Sequence, residues 1–415
     1  AAFLGFTDVL NRDSAEKVDH AFLNAKMAFE VAKNTEITLT GYVDYKDNDW
    51  FFEFFPAGSV PPPHPLSAWN STGFISNLKW NATKTGGDMM VVYRGLDSHT
   101  LVAGIAGEHQ RSFNIKHFAN NNPGFLPVVQ DVSDVFNWNS PADRDILAGY
   151  VEDIWEIRDY LRLNLGARYD HYSDFGGTFN PRLSLMWDII ENYNLRLSYS
   201  TAFRAPDFGD RFAKNVSGLS GNPDADPEEI ETFEASLGAR FTKEFSGRIT
   251  YFHNDMDDLL GFPPGKDTVE NFGSIKVDGI EVETRYDFGS GNFLTANYTF
   301  TDSIDNNDRR SQDVPRHRGN FMANWAIIEH LNLNVNAYWQ DEAPRALGDP
   351  RDSMSGYVIV NTTVMARNLW EKLDLEFSIH NLFDRDYTYP SPLSTTPGDY
   401  PAPGISFVLG AKFRF

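Results

Sequence analysis

Two-residue alternation of apolar and polar side chains runs through the whole chain and limits what it can fold into. Residues 332–339 read Asn-Leu-Asn-Val-Asn-Ala-Tyr-Trp, with apolar side chains at alternate positions, and similar alternation occurs at residues 37–43, 195–204 and 373–380. A period of two places successive side chains on opposite faces of a strand, whereas helical spacing would scatter the asparagines. The sequence therefore predicts a protein made almost entirely of strands with one apolar face.

The alternating runs number about seventeen, and many reach the roughly 9–11 residues that a tilted strand needs to cross a bilayer. The chain has no continuous apolar run of about eighteen residues, which excludes a helical membrane protein. The predicted strands span residues 18–31, 35–54, 72–94, 100–118, 144–157, 160–173, 180–190, 195–208, 231–241, 247–262, 269–288, 293–304, 313–328, 332–344, 355–369, 373–389 and 404–415.

The segments that connect these strands fall into a short class and a long class. Short connections fall near residues 192–194, 242–246, 289–292 and 329–331, and long ones fall near residues 55–71, 119–143, 209–230, 305–312, 345–354 and 390–403. Short and long connections therefore lie at opposite ends of the strands. Transmembrane barrels have tight periplasmic turns and long extracellular loops, whereas a soluble sandwich has no reason to sort its loops. The sequence predicts an all-β fold, a transmembrane antiparallel β-barrel, in preference to a soluble β protein.

The composition agrees with this fold and excludes other classes of protein. Aromatic residues make up 14% of the 415 residues, although the mean hydropathy is only −0.41, and aromatic residues collect at the two interfaces of membrane barrels. The net charge of −22 argues against a general nucleic-acid partner, which needs a basic face for phosphate. The absence of cysteine removes disulfides, thiolate metal sites and cysteine nucleophiles.

The sequence contains no recognisable catalytic or cofactor-binding constellation. It has no glycine-rich phosphate loop, no His-Glu-x-x-His motif and no Gly-x-Ser-x-Gly elbow, so we expect neither an enzyme nor a bound cofactor. The acidic pair Asp257 and Asp258 is interpreted as solvated. His99, His109 and His117 lie along one predicted hairpin with Met89 and Met90 nearby, but their spacing fits no compact site. We therefore predict no metal site.

One aromatic loop supplies candidate binding residues. Trp50, Phe52, Phe55 and Trp69 lie in or beside the first long loop, and exposed apolar clusters usually mark recognition surfaces. The alternative is an aromatic girdle at the outer interface together with a loop that packs on itself. The sequence leaves these two interpretations equal.

Arginines near the same end of the strands supply the second part of the candidate site. Arg204 and Arg316 are predicted on inward faces, where they would either attract an anionic ligand or pair with carboxylates inside the barrel. Aromatic rings provide contact area and guanidinium groups provide charge. The predicted ligand is therefore a bulky molecule that carries aromatic or anionic groups.

The last strand has a specific local pattern. Its apolar side chains alternate with the others, and the chain stops on an aromatic residue. An ending of this kind resembles the assembly signal of bacterial outer-membrane proteins, with Phe413 and Phe415 as its last rings. The apolar positions are Ile405, Phe407, Leu409, Ala411, Phe413 and Phe415.

Further segments resemble the TonB-dependent transporters of the bacterial outer membrane, in the order in which that family has them. The resemblance covers the whole chain and is most specific from about residue 195 onward. It implies TonB-dependent import of a scarce nutrient, with an iron–siderophore complex as the expected cargo and cobalamin, haem, copper or a glycan as alternatives. A passive porin-like channel is the alternative outside this family. The matching segments are residues 199–206, 221–229, 273–283, 315–318 and 381–387.

The resemblance also implies partners and a missing part. The expected partners are TonB, outer-membrane lipid and lipopolysaccharide, the barrel assembly machinery and a small-molecule cargo. Family members carry a TonB box and a plug before a barrel of about 22 strands. Nothing like a plug precedes residue 18, so residues 1–415 are expected to be a barrel portion that lacks the plug and about five first strands. Because an open sheet leaves unpaired edges in lipid, we expect another segment to close the gap between strands 18–31 and 404–415.

Overall fold

The structure, a computed structural model, describes residues 14–55, 68, 71–120, 126, 128–214, 220–263, 265–391 and 398–414. Strands account for nearly all of its regular structure. No helix among these residues is long and apolar enough to cross a membrane. The elements are β1 (Ala15–Ala32), β2 (Thr35–Phe55), β3 (Phe74–Leu96), β4 (His99–Ala119), β5 (Gln130–Asp131), β6 (Ala142–Arg158), β7 (Leu161–Tyr172), β8 (Gly176–Ile190), β9 (Tyr193–Arg204), α1 (Phe208–Phe212), β10 (Glu228–Arg240), β11 (Phe245–Gly261), β12 (Glu270–Gly289), β13 (Asn292–Asp305), β14 (His317–Ile328), β15 (Leu331–Gln340), β16 (Tyr357–Leu369), β17 (Leu373–His380), β18 (Thr388–Tyr389), β19 (Tyr400–Pro401) and β20 (Ser406–Phe413).

Most strands belong to one antiparallel sheet of 18 strands. Successive long strands pair along the chain; β5 adds two residues beside β4, and β18 and β19 form a separate small hairpin. β4 therefore pairs next with β6, and β17 pairs with β20. Within the described residues, β1 pairs only with β2 and β20 only with β17, so these two strands are the edges of the sheet. The pairing confirms the predicted antiparallel all-β fold.

The connections between the long strands sort by length, as the sequence indicates. One rim carries turns of two to four residues, including the turns after β3, β8 and β12, where Ser98, Asn192 and Ser290 have positive φ values of 63°, 71° and 55°. Positive φ is what tight hairpin turns require. The other rim carries the loops 56–73, 120–141, 205–227, 262–269, 306–316, 341–356 and 381–405, with residues 173–175 as its one short connection between described strands.

The two faces of the sheet differ in chemistry. Cross-strand partners share a face, so the register allows each face to be followed from strand to strand. One face carries polar side chains, among them the buried Thr38, Thr178, Thr301, Ser303 and Ser378. The opposite face carries large apolar side chains that are more than a third exposed, among them Leu39, Val43, Ile105, Leu147, Val151, Phe179, Phe321, Trp325, Trp339, Phe377 and Phe407.

The polar face is the concave one. On this face Tyr150 in β6 reaches across β4 and donates a hydrogen bond of 3.0 Å to Asp88 in β3. Arg144, also in β6, donates 2.8 Å to the carbonyl of Pro206 beyond the end of β9. Side chains on the face toward which a sheet curves lie closest together, which favours contacts between strands that are not neighbours. The polar face therefore lines the interior and the apolar face lies outside.

The predicted facing of residues 332–339 is confirmed. Leu333 is paired with Trp325 and Ala337 with Phe321, on the outward apolar face. Asn336 lies on the inward face, where its amide donates 3.1 Å to Asn320. An apolar outer surface with a polar interior is what a membrane barrel requires.

The ninth strand is shorter than the predicted span 195–208. It ends at Arg204, because Pro206 has no N–H to offer a neighbouring strand. Asp207 and Asp210 then form a capping box that begins the five-residue helix α1. The chain directly after β9 is therefore a short capped helix at the rim.

Three other predicted strands also extend too far into loops, and one of these, 332–344, ends already at Gln340. The predicted strand 313–328 begins only at His317, after Pro315. The predicted strand 373–389 ends at His380, because Asn381 adopts a positive φ of 50° and accepts a hydrogen bond of 2.8 Å from the Arg385 backbone N–H. Local turn chemistry at Pro315 and Asn381 overrides the alternation.

Candidate functional site

Aromatic rings form a cluster on the inward face at the long-loop rim. Trp50 near the end of β2 packs edge-on against Trp80 of β3, with ring centroids 4.8 Å apart. Trp80 packs in the same manner against Trp138 of the β4–β6 loop at 5.1 Å, and Phe52 lies 6.2 Å from Trp50. We call Trp50, Phe52, Trp80 and Trp138 the rim cluster. All four side chains are partly exposed.

The register shows why Trp50 and Phe52 face inward. β2 pairs without a register shift from Tyr42 to Phe52 with β3, and from Tyr42 to Phe51 with β1. Tyr42 donates to Glu108 of β4 across β3, so Tyr42 and every second residue after it face the interior. Trp50 and Phe52 therefore face the interior and are not part of an outer aromatic girdle.

Polar groups hold the base of the rim cluster. The buried Asn48 donates 3.4 Å to the Trp80 carbonyl. The indole of Trp138 donates 3.3 Å to the carbonyl of Lys116. The indole nitrogen of Trp50 is buried and has no hydrogen-bond acceptor among the residues that the structure describes. A buried donor without an acceptor costs free energy, which makes this position unusual.

Two of the predicted aromatic site residues are not placed by the structure. Trp69 lies outside the described residues, and of Phe55 only the backbone is described, as the last residue of β2. Their part in a binding surface stays a prediction.

The two predicted arginines lie at the same rim but each pairs with carboxylates nearby. Arg204 bonds to both oxygens of Glu228, at 2.5 and 2.9 Å, and to Asp210 at 3.1 Å. Arg316 donates to Asp302 at 2.7 and 3.2 Å. Glu228 shares the inward face with Arg204 as its partner in the register, so Arg204 pairs with a carboxylate inside the barrel. Asp302 is the partner of Asp278 on the outward face, so the predicted inward pairing of Arg316 is not observed. Neither arginine is brought together with the rim cluster.

A buried arginine anchors the long loop after β9. The Arg144 guanidinium, with only 4% of its side chain exposed, bonds to Asp174 at 2.7 and 3.0 Å. It also lies 5.1 Å from the Phe208 ring centroid, in cation–π geometry. Arg211 of α1 bonds to the Ala225 carbonyl at 2.6 Å and contacts Asp174 at 3.4 Å. These contacts hold the described part of this loop at the top of the interior.

A second ion-pair network joins two other long loops. Arg345 of the β15–β16 loop bonds to both oxygens of Asp399 in the β17–β20 segment, at 2.5 and 2.8 Å. Arg351 bonds to Asp349 and reaches Asp399 at 3.3 Å. Hydrogen bonds from Arg351 lower the pKa of Asp349 to about 2, and those from Arg345 lower the pKa of Asp399. Burial raises the pKa of the neighbouring Asp313.

The histidines considered for a metal path lie apart. His99 stacks on Trp155 with centroids 5.3 Å apart at the short-turn rim, while His109 bonds to Asp145 near the other rim. His117 faces inward and contacts Ser76 at 2.8 Å. Among the described residues, no group of three or more histidine, aspartate or glutamate side chains is placed to hold a metal ion.

The C-terminal strand is the second edge of the sheet. Phe413 pairs with Leu373, and the phenylalanines of β20 lie on the outward face, with Phe407 61% and Phe413 54% exposed. Phe415 lies outside the described residues. The alternation predicted for this strand is present, while its use as an assembly signal stays a prediction.

Sequence reasoning missed several residues that organise this rim. Trp80 and Trp138 join Trp50 through the strand register and a loop fold, neither of which the sequence displays. Arg144 and Asp174 are separated by a whole hairpin, so their pairing has no local pattern. The one signal in the sequence is that Tyr42 and Trp50 are separated by an even number of positions on one strand, which places their side chains on the same face.

Comparisons with known proteins agree with this geometry. The family model described as TonB dependent receptor-like, beta-barrel matches residues 3–382. The iron-regulated outer membrane virulence protein of Vibrio cholerae serotype O1 is 26% identical over 323 residues, which cover 70% of this chain and 47% of that protein. The chain thus spans about half the length of the curated relatives it matches.

Solved structures share the fold at low sequence identity. The ferric-catecholate import receptor Fiu from K12 E. coli superposes with a TM-score of 0.73 at 17% identity, over 98% of this chain and 65% of that one. The copper transporter OprC gives a TM-score of 0.77 at 15% identity, over 98% and 66%. The siderophore receptor PiuA from Acinetobacter baumannii gives 0.73 at 16%, over 98% and 67%.

These findings confirm the fold and the resemblance noted in the sequence. Structure neighbours of this fold are transporters and receptors, not enzymes, and the Vibrio relative is an outer-membrane protein. The chain belongs to the TonB-dependent receptor family, and it forms β-barrel structure in the bacterial outer membrane.

Proposed function

We propose that this chain is the barrel portion of a receptor that imports a ferric siderophore complex across the outer membrane, with TonB as the energy-coupling partner. The observation that carries the proposal is the rim cluster, a set of inward aromatic rings at the end of the strands where the long loops lie. Aromatic rings offer flat, rigid contact area to a bulky cargo that itself carries rings.

The relatives support iron as the cargo metal. The Vibrio cholerae relative is named as iron-regulated, and Fiu and PiuA are named as a ferric-catecholate receptor and a siderophore receptor. OprC is named as a copper transporter, so the fold alone does not select the metal. The aromatic character of the rim cluster favours an organic chelate over a bare ion.

The proposal extends beyond residues 1–415. β1 and β20 each have an unpaired edge in the described residues, and unpaired backbone groups are costly in lipid. We propose that about five further strands and a plug, as in barrels of about 22 strands, complete the receptor. The plug segment would supply the contact with TonB. Outer-membrane lipid, lipopolysaccharide and the assembly machinery would meet the outward apolar face and β20.

The test is iron uptake by the full-length receptor in a strain that lacks its own ferric siderophore receptors. Under iron limitation, the receptor should restore growth on a ferric catecholate. Replacing Trp50 and Phe52 together with alanine should reduce uptake by about tenfold or more, the loss expected when two stacking rings are removed.

The matched control removes two rings from the outward face. Phe321→Ala combined with Trp339→Ala deletes similar aromatic area that faces lipid, and it should leave uptake unchanged. The amount of folded receptor in the outer membrane is measured for each variant. Equal uptake by the Trp50 and Phe52 variant and the wild type would show that the rim cluster does not bind cargo.

A further inference from the structure

A cavity of about 1130 Å³ lies on the inward face at the long-loop rim, well apart from the rim cluster. Its wall is formed by the upper ends of β11, β12 and β13, and its cover by the loops 306–316 and 341–356. Met256 and Ile275 lie on the inward face there, as partners in the register of β11 and β12. Volumes of 300–1,000 Å³ are usual for small-molecule sites, so this cavity is large enough for a bulky ligand.

The wall of this cavity is unusually apolar for the interior of the barrel. Met256, Leu259, Leu260 and Ile275 contribute to it, although most of the inward face is polar. On the loop side, Leu347 is 78% exposed, and Phe272 at the edge of β12 is 44% exposed. Apolar side chains that water now covers gain free energy when a ligand covers them instead. The wall therefore suits the apolar or aromatic body of a ligand.

Three arginines of the cover carry the charge of the cavity. Arg309 is paired with Asp305 at 2.9 Å, and Arg345 is paired with Asp399 at 2.5 Å. Arg310 follows Arg309 in sequence, is partly buried and lines the same cavity. Among the residues that the structure describes, it has no carboxylate within ion-pair distance. Two of the charges are thus compensated within the protein, and the charge of Arg310 is left for a ligand.

We propose that this cavity is a cargo subsite for an amphipathic anion, in which Arg310 pairs with an anionic oxygen and the apolar wall covers the ligand's aromatic body. The inference rests on the proposed import function and specifies where a ferric chelate would contact the barrel outside the rim cluster. The combination of charge and apolar wall separates two kinds of chelate. An anionic chelate with aromatic rings uses both parts of the subsite, and an anionic chelate without rings uses only Arg310.

The experiment measures binding of two iron-loaded probes to the full-length receptor in detergent micelles. Ferric dihydroxybenzoate is anionic and aromatic, and ferric citrate is anionic without rings. Arg310→Ala should weaken binding of both probes by about tenfold or more, because a charge-assisted contact is lost. Arg310→Lys should recover part of the loss, since it keeps the charge. Leu347→Ser should weaken only ferric dihydroxybenzoate.

Arg158→Ala is the matched control, because Arg158 is an exposed arginine at the opposite, short-turn rim. The Arg158→Ala receptor should bind both probes as the wild type does. If the wild type binds ferric dihydroxybenzoate and Arg310→Ala binds it within about twofold, the subsite is wrong while the proposed import function stands. If the wild type binds neither probe, both the subsite and the ferric-chelate function are overturned. Retained folding of each variant is checked by the heat-dependent gel mobility of the barrel.

Discussion

Glycines on the inward face let long side chains lie flat across a neighbouring strand. Tyr150 crosses β4 at Gly104 to reach Asp88, and a Cβ atom at Gly104 would lie 2.3 Å from Cζ of Tyr150. Tyr42 crosses β3 at Gly86 in the same way, with a separation of 2.7 Å from Cζ to the added Cβ. These glycines are needed for space rather than for a positive φ. Each one makes room for a hydrogen bond that joins strands which are not neighbours.

Replacing Gly104 with valine should destabilise the barrel by about 1–3 kcal/mol, because Tyr150 is forced off its path and its bond to Asp88 is lost. Gly149→Val is the matched control. Gly149 pairs with Ile105 on the outward face, and an added Cβ there would come no closer than 4.0 Å to another atom. Unfolding in urea, followed by gel mobility in micelles or lipid vesicles, measures both variants. Equal effects of the two substitutions would contradict the spacing argument.

At the scale of the elements, the wall of the barrel differs in height around the sheet. β2, β3 and β4 have 21, 23 and 21 residues, whereas β15 has 10 and β17 has 8. A tilted strand needs only about 9–11 residues to cross the bilayer, so the long strands project well beyond it. The rim cluster lies on this projecting part. Beside the short strands β15 and β17, the loops joined by the Arg345–Asp399 network take the place of projecting strands.

The loop network should hold its structure at neutral pH and lose it in acid. The pKa of Asp349 is lowered from 3.8 to about 2, and that of Asp399 is also lowered. A carboxylate with a lowered folded pKa stabilises the folded state above its unfolded pKa, and this contribution disappears as the pH falls through the folded value. Hydrogen exchange of residues 341–356, corrected for its intrinsic pH dependence, should therefore be constant from about pH 8 to 5 and accelerate between about pH 4 and 2.

The pKa shift of the neighbouring Asp313 has the opposite direction, which provides a check on this prediction. Burial raises its pKa, so its contribution to stability grows on acidification and does not loosen the loops. Asp399→Asn removes the shared carboxylate and should give fast exchange at every pH. Loss of protection already at pH 6 in the wild type would show that another group controls these loops.

At the scale of the whole molecule, the sheet formed by the described residues has two open edges. β1 has Phe22 59% and Leu23 70% exposed, and β20 has Leu409 78% exposed. Each of these two strands has one paired edge in the described residues. An edge strand in lipid leaves backbone donors and acceptors without partners, and only a closed barrel removes that cost.

Residues 1–415 produced alone in a bacterial host should therefore fail to form a barrel with heat-dependent gel mobility. The full-length receptor should form one. Producing the upstream part as a separate chain together with residues 1–415 should restore folding, because the added strands pair with both edges. A protease-resistant, heat-modifiable barrel from residues 1–415 alone would mean that β1 and β20 pair with one another.

The sequence by itself determined the features that depend on neighbours along the chain. Alternation at residues 332–339 gave the strand and its two faces, because side-chain direction has a period of two whatever the strand pairs with. The sorted loops and the apolar last strand gave the barrel class. Strand ends near Pro206 and Asn381 were placed too far along, because turn chemistry there overrides the alternation.

Only the tertiary structure decided the features that depend on register and curvature. Whether Trp50 belongs to an outer girdle or to an inward cluster was decided by two facts. These are the pairing of β2 with β3 and the identity of the inward face of the sheet. The carboxylate partners of Arg204, and the absence of one for Arg310 among the described residues, depend on how loops from distant parts of the chain are placed. Such contacts join residues that have no fixed spacing in sequence. Which strands meet depends on their order in the sheet, and which loops meet depends on how far each loop extends across the rim.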